Sequence, residues 1–425
     1  MKQNCAVIGS GIAGMASAYF LSKNFEVTLF EKQERFGGHT NTVEVNKTPF
    51  DTGFMVFNNK TYPNLVKLFE HLDVPILKTE MSFSVQNKNT GLEWSGAGLK
   101  GLFSQKRNLF DPSYYKFLLE IDRFNKLATV MAEEQTDPLS HDEISIADFA
   151  KKEKFSERFL TDYLIPMSGA VWSTPYHKML HFPAKTLIRF FKNHGLLGLN
   201  THFQWYTVKG GSREYRDRLL RPILKNCHLS QGISSVEVLK NQQVEITTSD
   251  GAKKLFDKVV IAAHADEALS ILKNPTREQS EILSCFNYQK NDAIIHSDTS
   301  VMPKKSINWS SWNFRYEKSD DFRSSTIYYM NRLQSLPEET PYFVSINSPE
   351  IINPDLIHKT MIYDHPVFDL KAIQAQKRIP ALNQTGPLYF VGSYQRYGFH
   401  EDALWSALQV CLFLTDKRKI EDLLW

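Results

Sequence analysis

Cysteine is scarce in this chain: Cys5, Cys227, Cys285 and Cys411 are spread over 425 residues. None belongs to a CxxC pair, which argues against a dithiol redox centre and a clustered-cysteine zinc site. Such sparse usage suits a reducing compartment. Long apolar runs are also missing, so no membrane-spanning helix is expected. No charge dominates: 50 basic and 47 acidic side chains leave +3, too mild a balance to imply nucleic acid. HExxH and GxSxG are absent, which leaves metalloenzyme and hydrolase readings without a foothold, and no metal is expected. What is present is globular: 23% charged and 12% aromatic residues exclude disorder, collagen and coiled coil. The length suits two or three packed units.

The N-terminal stretch from Lys2 to Leu21 resembles a weak signal peptide, but three glycines explain it better. Ala6-Val7-Ile8 is an apolar run that enters Gly9-Ser10-Gly11-Ile12-Ala13-Gly14, after which Ile12, Met15, Ala16 and Tyr19 fall at helical spacing. A second strand, Val27-Thr28-Leu29-Phe30, ends at Glu31, and 31 − 11 = 20 residues separate that acid from the central glycine. This is the dinucleotide fingerprint in its strand–turn–helix context. Gly9 makes the tight turn, Gly11 admits a pyrophosphate and Gly14 lets helix and strand approach. The phosphates would sit on the helix N-terminus. Glu31 would accept from ribose hydroxyls.

The segments Arg35-Phe36-Gly37-Gly38-His39-Thr40 and Asp51-Thr52-Gly53 follow directly. With the fingerprint they resemble the flavin-containing amine oxidase superfamily, which includes protoporphyrinogen oxidase and phytoene desaturases. From Gly37 to Ser84 the chain is similar to a bacterial subgroup of NAD/FAD-binding oxidoreductases associated with cyclopropane-fatty-acid-synthase-like lipid methyltransferases. The resemblance implies noncovalent FAD, held at Gly9, Ser10, Gly11, Ala13, Gly14, Glu31 and Lys32, and at Gly37, Gly38, His39 and Thr40. His39 stands where arginine is usual. It further implies that the Val236 backbone contacts adenine and that Ala263 ends the strand closing the FAD domain. Gly392 and Ser393 would lie near the pyrophosphate, with Ser393 where an acid is common. Asp402, Ala403 and Leu404 would bring the N-terminus of the last helix to the flavin edge.

Other features carry less. Gly96-Ala97-Gly98-Leu99-Lys100-Gly101 repeats the glycine pattern, but only Leu92-Glu93-Trp94 precedes it, and a loop into a helix is the better reading. Gly210-Gly211 is either a close approach to flavin or substrate or a plain turn. Cys411 reads as a buried structural thiol. His400 is the candidate proton acceptor, with helix capping as its alternative, and Tyr394 stands beside it as a second catalytic candidate. Trp172 and Tyr397 are candidates for the substrate pocket. Leu99 to Arg107 and Leu187 to Leu199 mix apolar and basic residues, as membrane-surface segments do, although most such stretches are solvated helices packed on a core.

The expected fold is α/β: a Rossmann-type FAD domain assembled from 1–85, 205–270 and 386–425, a largely helical segment at 86–204 and a substrate-domain sheet segment at 271–385. The expected function is dehydrogenation of an apolar substrate, a fatty-acyl or related lipid chain, by hydride transfer to flavin N5. Amine oxidase, redox-neutral double-bond isomerase and non-catalytic FAD-binding partner of a lipid-modifying enzyme stand as alternatives. The expected location is cytoplasmic, with contact at the inner face of the membrane, and the expected partners are an apolar substrate and a lipid-modifying enzyme.

Overall fold

The computed structural model describes residues 2–424 apart from 134–142, 199–202, 318–322, 338, 349–351 and 385. Five strands form a parallel sheet: β1 (Asn4–Ile8), β2 (Glu26–Phe30), β3 (Cys227–His228), β4 (Lys258–Ile261) and β5 (Leu388–Phe390). Their order is β3-β2-β1-β4-β5, with β1 paired in register to β2 on one side and β4 on the other. Strand order reverses beside β1, and the crevice beyond the carboxyl ends of the strands is where an open α/β sheet takes its ligand. Cys5, Ala6 and Val7 are fully buried, which fits a parallel sheet covered on both faces. α1 (Ile12–Leu21) lies between β1 and β2 in the chain, and its close approach to the sheet depends on glycine: a Cβ on Gly14 would lie 1.9 Å from the Gly9 carbonyl oxygen.

The sheet therefore draws on three distant stretches of sequence. β3, only two residues long, carries too little apolar pattern to be legible beforehand. Between β3 and β4, Ile233–Val238, Val244–Thr248 and Lys253–Phe256 form a three-stranded antiparallel meander.

A second layer is built on a seven-stranded sheet in the order 357–367, 287–296, 343–346, 323–329, 312–317, 83–87 and 92–95. Its pairings are antiparallel except the parallel one between Trp312–Glu317 and Phe83–Asn87. Two expectations need correction here. Residues 83–95 belong with the 287–367 strands, not with the dinucleotide sheet or a purely helical segment. Leu92–Ser95 is a fully buried strand, and its Trp94 Nε1 donates to the Asp162 carbonyl at 3.2 Å. The glycines after it open a helix of only five residues, Gly98–Leu102.

Helices cover the other side of that sheet, chiefly α2 (Pro112–Glu133) and α3 (Ala184–Asn193). In α3 the apolar residues Leu187, Ile188, Phe190 and Phe191 are all buried, so this segment packs on the core and does not offer its apolar face to a membrane. Leu199, at the end of that candidate stretch, lies outside the described residues. α4 (His400–Leu414) returns the chain to the parallel sheet, where it packs along α1. Among the described residues no helix is long and apolar enough to cross a membrane, and no cluster of His, Cys, Asp or Glu could hold a metal ion.

Candidate active site

A single cavity of about 1550 Å³ runs from the carboxyl ends of β1 and β4 into the space between the seven-stranded sheet and the helices. Single small-molecule sites usually occupy roughly 300–1,000 Å³, so there is room for a cofactor and a second molecule. Gly9, Ser10, Gly11 and Ala13 line it from the first turn, and Glu31 and Lys32 from the end of β2. Gly38 and His39 follow on the same wall, facing Ala263, Gly392 and Ser393. Tyr394, His400, Ala403 and Trp172 also reach it.

The turn explains its own sequence. Gly9 has φ +96°, and a Cβ there would lie 2.5 Å from the Ala262 carbonyl oxygen. A Cβ on Gly11 would meet no heavy atom within 4 Å, because it would project into unfilled space, as an approaching pyrophosphate requires. Glu31 is buried and organised: Oε2 accepts from the Ser10 N–H (2.9 Å) and hydroxyl (2.5 Å), and Oε1 accepts from the Gln33 N–H (2.9 Å). An ionised carboxylate has about four acceptor positions, so capacity for a ribose hydroxyl remains. Lys32 pairs with Glu267 across the lip of the cavity.

Two polar atoms on the wall fit a bound anion or heterocycle. Arg35 Nη1 and His39 Nε2 are buried, line the cavity and have no hydrogen-bond partner among the described residues. Buried polar atoms are almost always satisfied, so an orphan pair at a dinucleotide turn points to a ligand. Burial holds the His39 imidazole well below its ordinary value, with His365 adding to the effect, so His39 is neutral. The expected cation is instead Arg35, which the sequence shows only as the start of the Gly-Gly segment.

Several residues named for the cofactor keep their side chains out of the cavity. Val236, named for its backbone, has a side chain only 1% exposed; it pairs with Ile246 and forms a bridge to Leu272. A register irregularity between Ile233 and Ser235 changes the alternation, and Gln231, Gly232 and Ile233 line the cavity instead. Asp402 turns back to cap its own helix: Oδ2 accepts from the Phe399 N–H at 2.9 Å. Burial raises its carboxyl to about 6. Leu404 is wholly buried in the core. Gly37 and Thr40 stand behind the wall. The Gly37 N–H donates to Ser10 Oγ at 3.0 Å, and Thr40 Oγ1 lies 2.9 Å from Tyr215 Oη. Tyr397 does not line the cavity: its carbonyl accepts from Trp172 Nε1 at 3.0 Å and its ring packs on Phe190 at 5.9 Å. Gly210 and Gly211 form a turn away from the large cavity, where a Cβ on Gly211 would collide with Thr42.

His400 opens α4 on the cavity wall. Its Nε2 is 2.7 Å from Tyr215 Oη and 3.2 Å from Thr40 Oγ1, and its ring stacks on Phe54 at 4.1 Å. Burial lowers it to about 3. Beside it, the unpaired N–H groups of the first helical turn favour negative charge in the cavity. Glu401 points away and caps Pro63–His71, accepting from the Asn64 and Leu65 N–H groups at 3.1 and 3.0 Å.

Beyond this helix end the wall becomes apolar and aromatic. Trp172 packs against Phe182 and Phe190 at 4.5 and 4.6 Å, and Phe190 stacks on Phe399 at 5.0 Å. Trp94, Leu118, Ile121, Met167, Val171, Trp312 and Tyr328 extend the chamber. Trp312 Nε1, Asn125 Oδ1, Gln231 Oε1 and Tyr394 Oη are further buried orphans on residues of the wall. Among the chamber's apolar residues Trp172 is expected from the sequence; the others are not, since buried aromatics of a core and of a chamber look alike in sequence.

Residues 12–326 match the family model described as flavin containing amine oxidoreductase. Over 89 residues, 21% of this chain, the sequence is 34% identical to 1-hydroxycarotenoid 3,4-desaturase of Flavobacterium sp. (strain P99-3), and that stretch spans 17% of the desaturase. Solved structures of similar fold include wild-type putrescine oxidase bound to putrescine, at TM-score 0.71 and 14% identity over 98% of this chain and 100% of that one. Cyclohexylamine oxidase from Brevibacterium oxydans IH-35A superposes at 0.67 with 15% identity, over 98% and 100%. A CLA-producing fatty acid isomerase from P. acnes superposes at 0.66 with 12% identity, over 97% and 98%.

Proposed function

The chain belongs to the flavin containing amine oxidoreductase family, an FAD-dependent oxidoreductase by that membership, and from this premise we propose that it dehydrogenates an apolar chain, a fatty-acyl or related lipid. The observation that carries the reading is the chamber beyond His400, whose wall is chiefly Trp, Phe, Tyr, Leu, Ile, Met and Val, with Trp312 Nε1 and Asn125 Oδ1 as buried polar points. A cationic amine would call for a carboxylate or an aromatic cage there, and the aliphatic share of this wall, Leu118, Ile121, Met167 and Val171, favours a chain over a cation. Among the cavity's acids, Glu31, Glu267 and Asp364 belong to the nucleotide end, where Asp364 acts on the charge of Lys32, and Asp122 is exposed on α2. The short likeness to a carotenoid desaturase and the fold likeness to a fatty acid isomerase fit the same substrate class.

Bound FAD supplies a two-electron acceptor. The protein's part is binding, orientation and exclusion of water. The Gly9–Gly14 turn and Arg35 would hold the phosphates, and Glu31 the adenosine ribose. The aromatic wall around Trp172 and Phe399 keeps the reacting carbon–hydrogen bond dry. His400, neutral and tied through Nε2 to Tyr215, acts as a positioning group for the start of α4, in place of the proton-accepting role expected of it.

Anaerobic mixing tests the proposal. Stoichiometric flavin bleaching by a fatty-acyl or isoprenoid fraction supports it, and rapid bleaching by simple primary amines alone rejects it. Turnover of a lipid only after prior flavin reduction would identify the redox-neutral isomerase instead.

A further inference from the structure

Three large apolar side chains stand almost free on one side of the molecule: Phe110 is 86% exposed, Leu99 75% and Leu119 68%. They are joined through intervening contacts. Leu99 and Phe103 are linked in the Gly98–Leu102 helix, Phe103 packs on Tyr115 of α2 at 5.8 Å, and Tyr115 Oη donates to the Leu109 carbonyl at 3.0 Å. Leu119 follows Tyr115 by one turn on the same face of α2. Contiguous exposed apolar surface of this kind marks an interaction site.

Two further observations identify the occupant. Between Gly98 and Leu119 there are four basic residues, Lys100, Lys106, Arg107 and Lys116, against one acid, Asp111, which lies 3.5 Å from the Arg158 guanidinium. All four basic residues are exposed. The patch also adjoins the cavity: Gly98 and Leu102 line it from one element, and Leu118 and Ile121 from α2. We propose that this face docks on an anionic lipid surface, with Phe110, Leu99 and Leu119 entering the acyl boundary and the basic residues meeting headgroups. The cavity then opens toward the bilayer. The purpose of this arrangement rests on the apolar-substrate reading.

The test uses the flavin-loaded protein and phosphatidylcholine vesicles with and without phosphatidylglycerol. Parent protein should sediment with the anionic vesicles, weakly with neutral ones, and less at high salt. A Phe110→Ser/Leu119→Ser pair and a Lys100→Glu/Lys106→Glu pair should each weaken binding by about tenfold or more. Flavin content and the unfolding midpoint should stay at parental values. The proposal is overturned if the parent ignores every vesicle, if the variants sediment like the parent, or if the apolar pair merely converts a dimer to a monomer. Bleaching by detergent-dispersed lipid, measured alongside, separates the two ideas. Bleaching without vesicle binding removes docking alone, and vesicle binding without bleaching removes the substrate reading alone.

Discussion

His400 Nε2 lies 2.7 Å from Tyr215 Oη, and this contact joins two elements that are 185 residues apart in the chain. Tyr215 is fully buried and belongs to the helix after the Gly210-Gly211 turn, while His400 opens the helix that faces the cavity. The position of the α4 N-terminus is thus fixed from behind, through a hydroxyl that never touches the ligand.

Tyr215→Phe should therefore cost about 1–3 kcal/mol of unfolding stability, the range for leaving a buried polar partner short of a bond. Thr40 Oγ1, 3.2 Å from the same nitrogen, keeps the loss toward the lower end. Urea unfolding of the two proteins reads the difference directly. An unchanged midpoint would mean that the hydroxyl contributes nothing to holding His400.

The glycines of the first turn should separate by phenotype. Gly11→Val places its side chain in empty space, so the protein should fold at near-parental stability and lose its FAD. Gly14→Val must displace the Gly9 carbonyl, and soluble protein should fail to accumulate. Gly98→Val, at φ +68°, should lose roughly 1–2 kcal/mol from a left-handed position and keep its flavin. Flavin absorbance per polypeptide after gel filtration gives the answer. Equal flavin loss at Gly11 and Gly98 would defeat the assignment of the phosphates to the first turn.

Buried histidines predict an acid limit. His400 is lowered to about 3, and His194, His296 and His365 to about 4, in every case chiefly by burial. A histidine whose folded value is depressed binds fewer protons native than unfolded. Its contribution is present above about 6.5 and is lost as pH falls toward 4. Glu401 and Asp402 are raised by burial to about 7 and 6, so they oppose this by favouring the folded state on acidification. His39 is depressed by burial as well, while burial also raises Asp51 and Asp162. The histidines outweigh the carboxyls over this range, and the thermal midpoint should fall between pH 7.5 and roughly 5. A midpoint that rises over the same interval would reverse the sign of the argument.

What could be read in advance was local. Gly9, Gly11, Gly14 and Glu31 sit at spacings that one turn explains, although only the Gly14 demand is local, set by the Gly9 carbonyl, while that of Gly9 comes from the remote Ala262 and Gly11 faces open space. Around Val236, a strand irregularity at Ile233–Ser235 brings Gln231, Gly232 and Ile233 to the cavity, and nothing in ISSVEV reveals it. The side chain of Asp402 was ambiguous for a different reason: an acid at the third position of a helix serves a cap as well as a cofactor, and here it caps. The chamber was not legible because Trp94, Met167 and Trp312 come from three remote segments, brought together by the pairing of Phe83–Asn87 with Trp312–Glu317 and by the packing of the Ile165–Trp172 helix on the latter strand.

Substrate charge is the last matter open to a test with opposite signs for opposite answers. Met167 is half-buried on the chamber wall, in the helix Ile165–Trp172. Met167→Glu keeps much of the volume and adds a carboxylate. An apolar chain would then meet a polar group that it cannot satisfy, and burying one costs about 1–3 kcal/mol, so flavin reduction by lipid should slow by about tenfold or more. A cationic amine would gain a counter-ion from the same change and reduce the flavin faster. Flavin content should be unaffected, since Met167 lies beyond the His400 end of the cavity from the nucleotide turn. NADH and NADPH should reduce parent and variant equally poorly, because the second glycine pattern, at Gly96–Gly101, opens a helix of five residues behind an antiparallel strand. Slower lipid reduction with no gain for amines is the expected pair of results. Amine reduction that is already rapid in the parent and faster still in the variant would show that the chamber serves a cation after all.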